Sequence, residues 1–207
     1  VHGRIVLASA GSETGETLAE TLGDVAAIHR LRSARLGMVG APSDWLVASV
    51  PDRTRLRERW GIELVDVDIG DTIRRHRADG AGDAFEAARP VAVHVIGRDD
   101  PDHETLRAAA LHPALVATID REHVDAVAVR CFDFLQELST SGCVALAALN
   151  DSGVVAGCEG DIASTVAMML LRALLDQPGW IANPACIDVS SHRVVLAHCT
   201  VAPSMVD

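Results

Sequence analysis

Lysine and tyrosine are absent from this 207-residue chain, so all 18 basic residues are arginine. That removes Schiff-base chemistry, a phosphate-loop lysine and a tyrosine general acid from consideration. No run of about 18 apolar residues free of charge appears, so no membrane-spanning helix is expected. The N-terminus lacks the basic-then-apolar pattern of a secretory signal. A formal charge of -11 with no arginine-rich patch argues against nucleic acid or an anionic membrane as partner, because both need a basic surface. The chain reads as soluble and cytoplasmic, with a small molecule as its ligand. Five cysteines, Cys131, Cys143, Cys158, Cys186 and Cys199, are odd in number and lack CxxC spacing. Neither a disulfide framework nor a zinc ribbon is indicated, and most are expected to be buried, reduced thiols.

What is present is an alternation of short apolar runs with helical patterns. Gly3 to Ala8 reads as a strand, and Ser12 with Glu16 nearby opens a helix toward Arg30. Leu36 to Gly40 is a second strand, and Pro42, Ser43 and Asp44 mark a loop at its end. A helix from Pro51 to Trp60 stops at Gly61, and Ile62 to Val67 alternates apolar with acidic as a half-exposed strand does. Asp71 to Arg77 reads helical, Asp79 to Asp83 as a loop over the site, and Pro90 to Ile96 as a strand with helix left open. Asp102 to His123 is helical with an interruption at Pro113, Val124 to Val129 is a strand, and Ser141 to Leu149 is a helix. Ile162 to Leu175 keeps helical spacing but is apolar throughout, so burial on all sides is expected. After Gln177 the pattern changes to short β-rich segments, Trp180 to Val189 and His192 to His198, joined by Ser190-Ser191. These signals predict an α/β, Rossmann-like open sheet with helices on both faces over residues 1–176. Residues 177–207 would begin a C-terminal β-rich domain, and the chain reads as cut at both ends.

The most informative stretch is Gly157-Cys158-Glu159-Gly160-Asp161, between the short apolar run Val154 to Ala156 and the long helix. Carboxylates flanking a glycine at a strand-to-helix turn stand where open α/β sheets bind ligands. Glu159, Asp188 and His198 are the candidate metal ligands, far enough apart in sequence that only folding could unite them. The same residues admit a structural account: Glu159 as a helix cap, Asp188 as a turn acid and His198 as a hydrogen-bonded core histidine. Asp161 is the expected N-cap of the apolar helix, and His192 is a competing imidazole. Arg130 at a strand end, with Ser43 and Trp45 after another, are candidates for contacting substrate.

Gly37 to Leu46, Arg130-Cys131-Phe132, Cys158-Glu159-Gly160-Asp161, and Leu196-Ala197-His198-Cys199 with Pro203-Ser204 resemble the L-fucose isomerase and L-arabinose isomerase superfamily. The similarity is closest to its fucose-isomerase-like members that carry a Cys-Glu-Gly-Asp motif. That resemblance implies an aldose-ketose isomerase that binds manganese, or another divalent ion such as magnesium, through Glu159, Asp188 and His198. Glu159 and Asp188 would be the catalytic carboxylates that move a proton between C2 and C1 of an open-chain monosaccharide through an ene-diol. It also implies a homo-oligomer and family members substantially longer than this chain. Oxygen-rich ligands plus one imidazole independently suit manganese or magnesium better than a thiolate-loving ion. Two rivals stand beside this reading: a non-catalytic sugar-binding or assembly module of the same fold, and a metal-assisted hydrolase or lyase using the same residues.

Overall fold

The computed structural model describes residues 12–79 and 83–206. Helix α1 (Ser12–Arg32) leads into strand β1 (Arg35–Val39), helix α2 (Arg53–Trp60) and strand β2 (Glu63–Val67). Helices α3 (Ile69–Asp79), α4 (Asp83–Ala87), α5 (Arg89–Ile96), α6 (His103–Ala109) and α7 (Leu111–Glu122) follow before strand β3 (Ala126–Val129). Helices α8 (Phe132–Leu138) and α9 (Cys143–Ser152) precede strand β4 (Val155–Gly157), and helix α10 (Ile162–Leu175) leads to strands β5 (Asn183–Asp188) and β6 (Arg193–Ala197).

Strands β1 to β4 form one parallel sheet in the order β2-β1-β3-β4, and β5 and β6 form a separate antiparallel hairpin. The central strands are apolar on both faces, as a parallel sheet covered by helices requires. Period-2 alternation then sorts their side chains into two layers. Leu36, Met38, Ala126 and Ala128 pack with Leu56 of α2 and with Ile162, Val166 and Met169 of α10. Val39, Val127 and Val129 pack with Leu111 and Leu115 of α7, Phe134 of α8 and Leu146 of α9. The expected α/β class with helices on both faces is therefore observed. On the edge strand β2, Glu63 and Asp66 are exposed; three residues apart, they lie on opposite faces, so the exposure is not confined to one face as the alternation implied.

The strand order locates the ligand crevice. The chain passes from β1 to β2 on one side and returns to β3 on the other, so a cleft opens between the carboxyl ends of β1 and β3. Gly40 and Arg130 stand at those two ends.

Several expectations are corrected. Pro90 to Ile96 is not a strand but lies within α5, because Pro in the first turn costs no intrahelical bond and Gly97 ends the helix in the left-handed region. Ala88 and Ala92, one turn apart, join Leu106 and Ala109 in a small third core. The break in the long helical stretch falls at Ala110 rather than Pro113, which sits in the first turn of α7 where its missing N–H is harmless. Helix α8 has no counterpart in the sequence reading, although Phe134 and Leu138 are buried at the i, i+4 spacing of one helix face. Helix α10 is not buried on all sides: Leu171, Leu174 and Leu175 are exposed. The strand expected at Gly3 to Ala8 lies outside the described residues, as does the centre of the loop expected at Asp79 to Asp83. Among the described residues no helix is long and apolar enough to cross a membrane.

Candidate functional site

The Gly-Cys-Glu-Gly-Asp turn joins β4 to α10, and each position has its own physical role. A Cβ on Gly157 would overlap Thr165 Oγ1, so glycine there lets α10 pack directly on the strand. Cys158 is buried. Glu159 and Gly160 both have positive φ, 62° and 70°. This curl carries the Glu159 side chain away from the core, at a conformational cost of about 1–2 kcal/mol for a residue with a Cβ. A Cβ on Gly160 would meet Ala41 O at 2.6 Å, so the turn is pressed against the loop that follows β1. Asp161 caps α10, accepting from the Ser164 amide at 2.8 Å and the Ser164 hydroxyl at 2.7 Å.

The loop after β1 is fastened to this turn by the residues expected to bind substrate. Ser43 is buried, and its hydroxyl and amide donate to the Glu159 carbonyl at 2.7 and 3.0 Å. Trp45 Nε1 donates to Glu159 Oε2 at 2.8 Å, and its ring meets Phe132 edge-to-face at 5.1 Å. Arg130 donates to the Pro42 carbonyl at 2.8 Å and to Asp133 at 3.0 Å. The side chains of Asp44 and then Asp133 hold its pKa above the ordinary arginine value. Ser43 and Arg130 thus shape the loop, and Trp45 orients the Glu159 carboxylate while leaving its ring half exposed.

His198 follows β6 and returns to the same place. Its side chain is 9% exposed, and its Nε2 lies 3.7 Å from Glu159 Oε1. The segment carrying it is anchored farther on, where Ala202 is fully buried and the Ser204 amide donates to Asp151 Oδ1 at 2.8 Å. Folding therefore unites Glu159 and His198, as expected. It does not bring Asp188 to them. Asp188 sits at the hairpin tip, where it accepts from the Ser190 hydroxyl at 2.6 Å and the Ser191 hydroxyl at 2.5 Å, together with both amides. Those donors pull its carboxyl down to about 2. An aspartate followed by two serines at a hairpin tip is satisfied locally, so the turn-acid account describes it better than the ligand account. His192, with φ 53°, lies in the same exposed tip.

A carboxylate oxygen and an imidazole nitrogen 3.7 Å apart suit a shared divalent cation. Two ligands each about 2.1 Å from one ion stand roughly 3.0–3.6 Å apart at ordinary coordination angles. At 3.7 Å the two atoms stand just beyond that range, so Glu159 and His198 would have to approach slightly to share one ion.

Sequence reasoning missed the thiols around this pair. Only Cys131 and Cys158 are buried, and all five cysteines are free. Cys131 Sγ and Cys158 Sγ are 3.0 Å apart, as are Cys143 Sγ and Cys199 Sγ. The Cys143 thiol donates to Cys199; Cys143 and then Cys158 lower the Cys199 pKa, while Cys199 raises that of Cys143 and Cys131, followed by Cys199, raises that of Cys158. The missing CxxC spacing hid the cluster because its members come from four separate segments.

A cavity of about 620 Å³ at the carboxyl ends of β1, β2 and β3 is lined by Gly40, Ala41, Asp68, Arg74, Arg77 and Arg130, with neither Glu159 nor His198 in its wall. Its arginines are balanced by carboxylates: Arg74 by Asp68 and Asp71, Arg77 by Glu137, and Arg130 by Asp133. A cavity of about 710 Å³ lies at the opposite edge of the sheet, around Ala34, Asp125 and Gly153. The smaller one is the better ligand site, because it opens at the topological switch point.

Fold and site together define a doubly wound α/β protein with a carboxylate-imidazole pair beside the carboxyl edge of its parallel sheet. No family model matches the chain. It is similar to proteins named sulfoquinovose isomerase. One from Priestia megaterium is 24% identical over 190 residues, covering 89% of this chain and 42% of that protein. One from Alkalicoccus urumqiensis is 23% identical over 174 residues, covering 83% and 39%. A third, from a Clostridium species, is 22% identical over 179 residues, covering 84% and 39%. The chain thus spans about two-fifths of the length of these relatives. They support an isomerase relationship at low identity, which is broader than the fucose and arabinose superfamily drawn from the motifs.

Proposed function

We propose that this chain supplies Glu159 and His198 to the active site of an aldose-ketose isomerase acting on a free monosaccharide through an ene-diol. The observation that carries this reading is the 3.7 Å pairing of the Glu159 carboxylate with the His198 imidazole at the ligand edge of the sheet. The names of the similar proteins support the same reaction class. A divalent ion such as manganese, held by Glu159 and His198, would polarise the sugar carbonyl.

The chain's own residues supply the rest. Trp45 holds Oε2 of Glu159 and leaves Oε1 facing His198. In this reading Glu159 takes the proton from C2 and returns it to C1 through Oε2, which requires the Trp45 hydrogen bond to give way when the sugar binds. Asp188, occupied at the hairpin tip, has no part in this step. The cavity beside Arg130 would receive the remainder of the sugar. A sulfonated sugar is the first substrate to test, since that is what the relatives are named for. Self-association belongs to the same reading, with the exposed Leu171, Leu174 and Leu175 of α10 offering apolar surface for it.

The test is proton exchange at C2 in deuterium oxide with manganese present, followed by NMR on sulfoquinovose and on its unsulfonated parent sugar. Exchange that disappears in Glu159→Gln is expected. Sugar binding without exchange in the wild type would refute the isomerase and favour the non-catalytic module.

A further inference from the structure

The thiols gathered beside Glu159 and His198 are not used by the isomerase reading, and they arrive from separate parts of the fold. Cys131 follows β3, Cys143 opens α9, Cys158 precedes Glu159 in the β4–α10 turn, and Cys199 follows His198. Convergence of several cysteines that stand alone in sequence is the pattern expected of a thiolate site completed only by folding.

The geometry has two sides. The two ring nitrogens of His198 face different neighbours: Nε2 is directed to Glu159, whereas Nδ1 lies 3.9 Å from Cys199 Sγ and 3.3 Å from Thr200 Oγ1. Ligand atoms of Cys158, His198 and Cys199 all lie within 4.8 Å of one another. Cys131 and Cys143 extend this group, each with its sulfur 3.0 Å from one of its members. In a tetrahedral zinc site with bonds of about 2.3 Å, sulfurs stand about 3.8 Å apart. Gathering the three ligands therefore needs only a small side-chain contraction.

We infer that Cys158, Cys199 and the Nδ1 side of His198 form a binding site for a soft, thiolate-preferring divalent ion of the zinc class. Cys143 is the nearest additional sulfur to Cys199 and is available as a fourth ligand. On binding, the thiols of Cys158 and Cys199 each release a proton to solvent and donate a sulfur lone pair to the ion, which undergoes no redox change. Glu159 then becomes the outer partner of the metal-bound imidazole, accepting from its Nε2–H, an arrangement that fixes ring orientation in metal sites generally. A hard ion held by Glu159 and Nε2 and a soft ion held by the thiols and Nδ1 make opposite demands on one imidazole. The two sites are accordingly antagonistic. The thiol site does not depend on the isomerase reading and shares with it one ligand, His198, and that imidazole's partner Glu159.

Cobalt(II) serves as the probe, added to the reduced, metal-free chain under anaerobic conditions. The expected result is a stoichiometric thiolate-to-cobalt charge-transfer band that equimolar zinc bleaches and equimolar manganese does not. Cys158→Ser and Cys199→Ser should lose the band, and Cys186→Ser should keep it, because Cys186 lies in the exposed hairpin. Glu159→Gln should keep the cobalt band while losing manganese, so failure of one site is distinguishable from failure of the other. Wild-type protein gives a readout independent of folding in variants: zinc should protect the exposed Cys199 from alkylation and leave the exposed Cys186 reactive. The proposal is overturned by absence of the charge-transfer band, by its survival in both serine variants, or by equal alkylation of Cys199 with and without zinc.

Discussion

Replacing Gly160 by alanine tests how closely the Glu159 turn is pressed against the loop after β1. Gly160 has φ 70°, and an added Cβ would lie 2.6 Å from Ala41 O and 2.9 Å from Pro42 Cα. Both are backbone atoms, so no side-chain rotation relieves the clash. Left-handed conformation in a residue with a Cβ costs about 1–2 kcal/mol, and overpacking adds about 1–3 kcal/mol, giving roughly 2–5 kcal/mol in all. Gly97 supplies the control, with φ 66° and nothing within 4 Å of the place an added Cβ would take. Gly97→Ala should show the conformational cost alone, about 1–2 kcal/mol. Urea unfolding followed by circular dichroism measures both. With a slope of about 2 kcal/mol per molar urea, the Gly160→Ala midpoint should fall by roughly 1–2.5 M and the Gly97→Ala midpoint by about 0.5–1 M. Because the loop carrying Trp45 must move away, manganese affinity should fall in Gly160→Ala and stay unchanged in Gly97→Ala. Equal destabilisation of the two variants would refute the close-approach argument.

Other outcomes follow from individual contacts. Trp45→Phe keeps the ring against Phe132 but removes the hydrogen bond to Glu159, and should weaken manganese binding by about 1 kcal/mol, roughly fivefold, in a calorimetric titration. Asp161→Ala removes the cap of α10 and should lower stability by about 1 kcal/mol in urea unfolding, with Asp161→Asn losing less. The Asp151 carboxyl is held below its ordinary value, first by the Ser204 hydroxyl, then by the Ser204 amide and His94. Its folded pKa is depressed, so the stabilisation is present above the unfolded value of about 3.9 and is lost as pH falls through the folded one. Wild-type stability should therefore drop more steeply than that of Asp151→Asn below about pH 4, read as urea midpoints across an acid series.

Much of the fold was legible because its signals are local. The cap at Asp161, the glycine stop at Gly61 and the short apolar runs of β1 and β3 lie within a few residues of what they control. Pro90 misled because a proline before a valine-rich run suits a strand as well as a helix's first turn. Only packing of Ala88 and Ala92 against α6 decides between them. Helix α8 went unread because its single i, i+4 pair is too short a pattern to stand out.

The site divides along the same line. Sequence alone determined that the Gly-Cys-Glu-Gly-Asp segment is a strand-to-helix turn with a capping aspartate, since those roles depend on neighbours in the chain. Tertiary structure decided what Glu159 meets. Trp45 reaches it across 114 positions, His198 arrives only after the chain has run through the β5–β6 hairpin, and Asp188 is kept at that hairpin's tip by two serines beside it. The thiol cluster is the extreme case, because no spacing in the sequence announces it. Backbone preference and capping act over a few residues, whereas a ligand set is fixed by strand order, which places distant segments at one sheet edge.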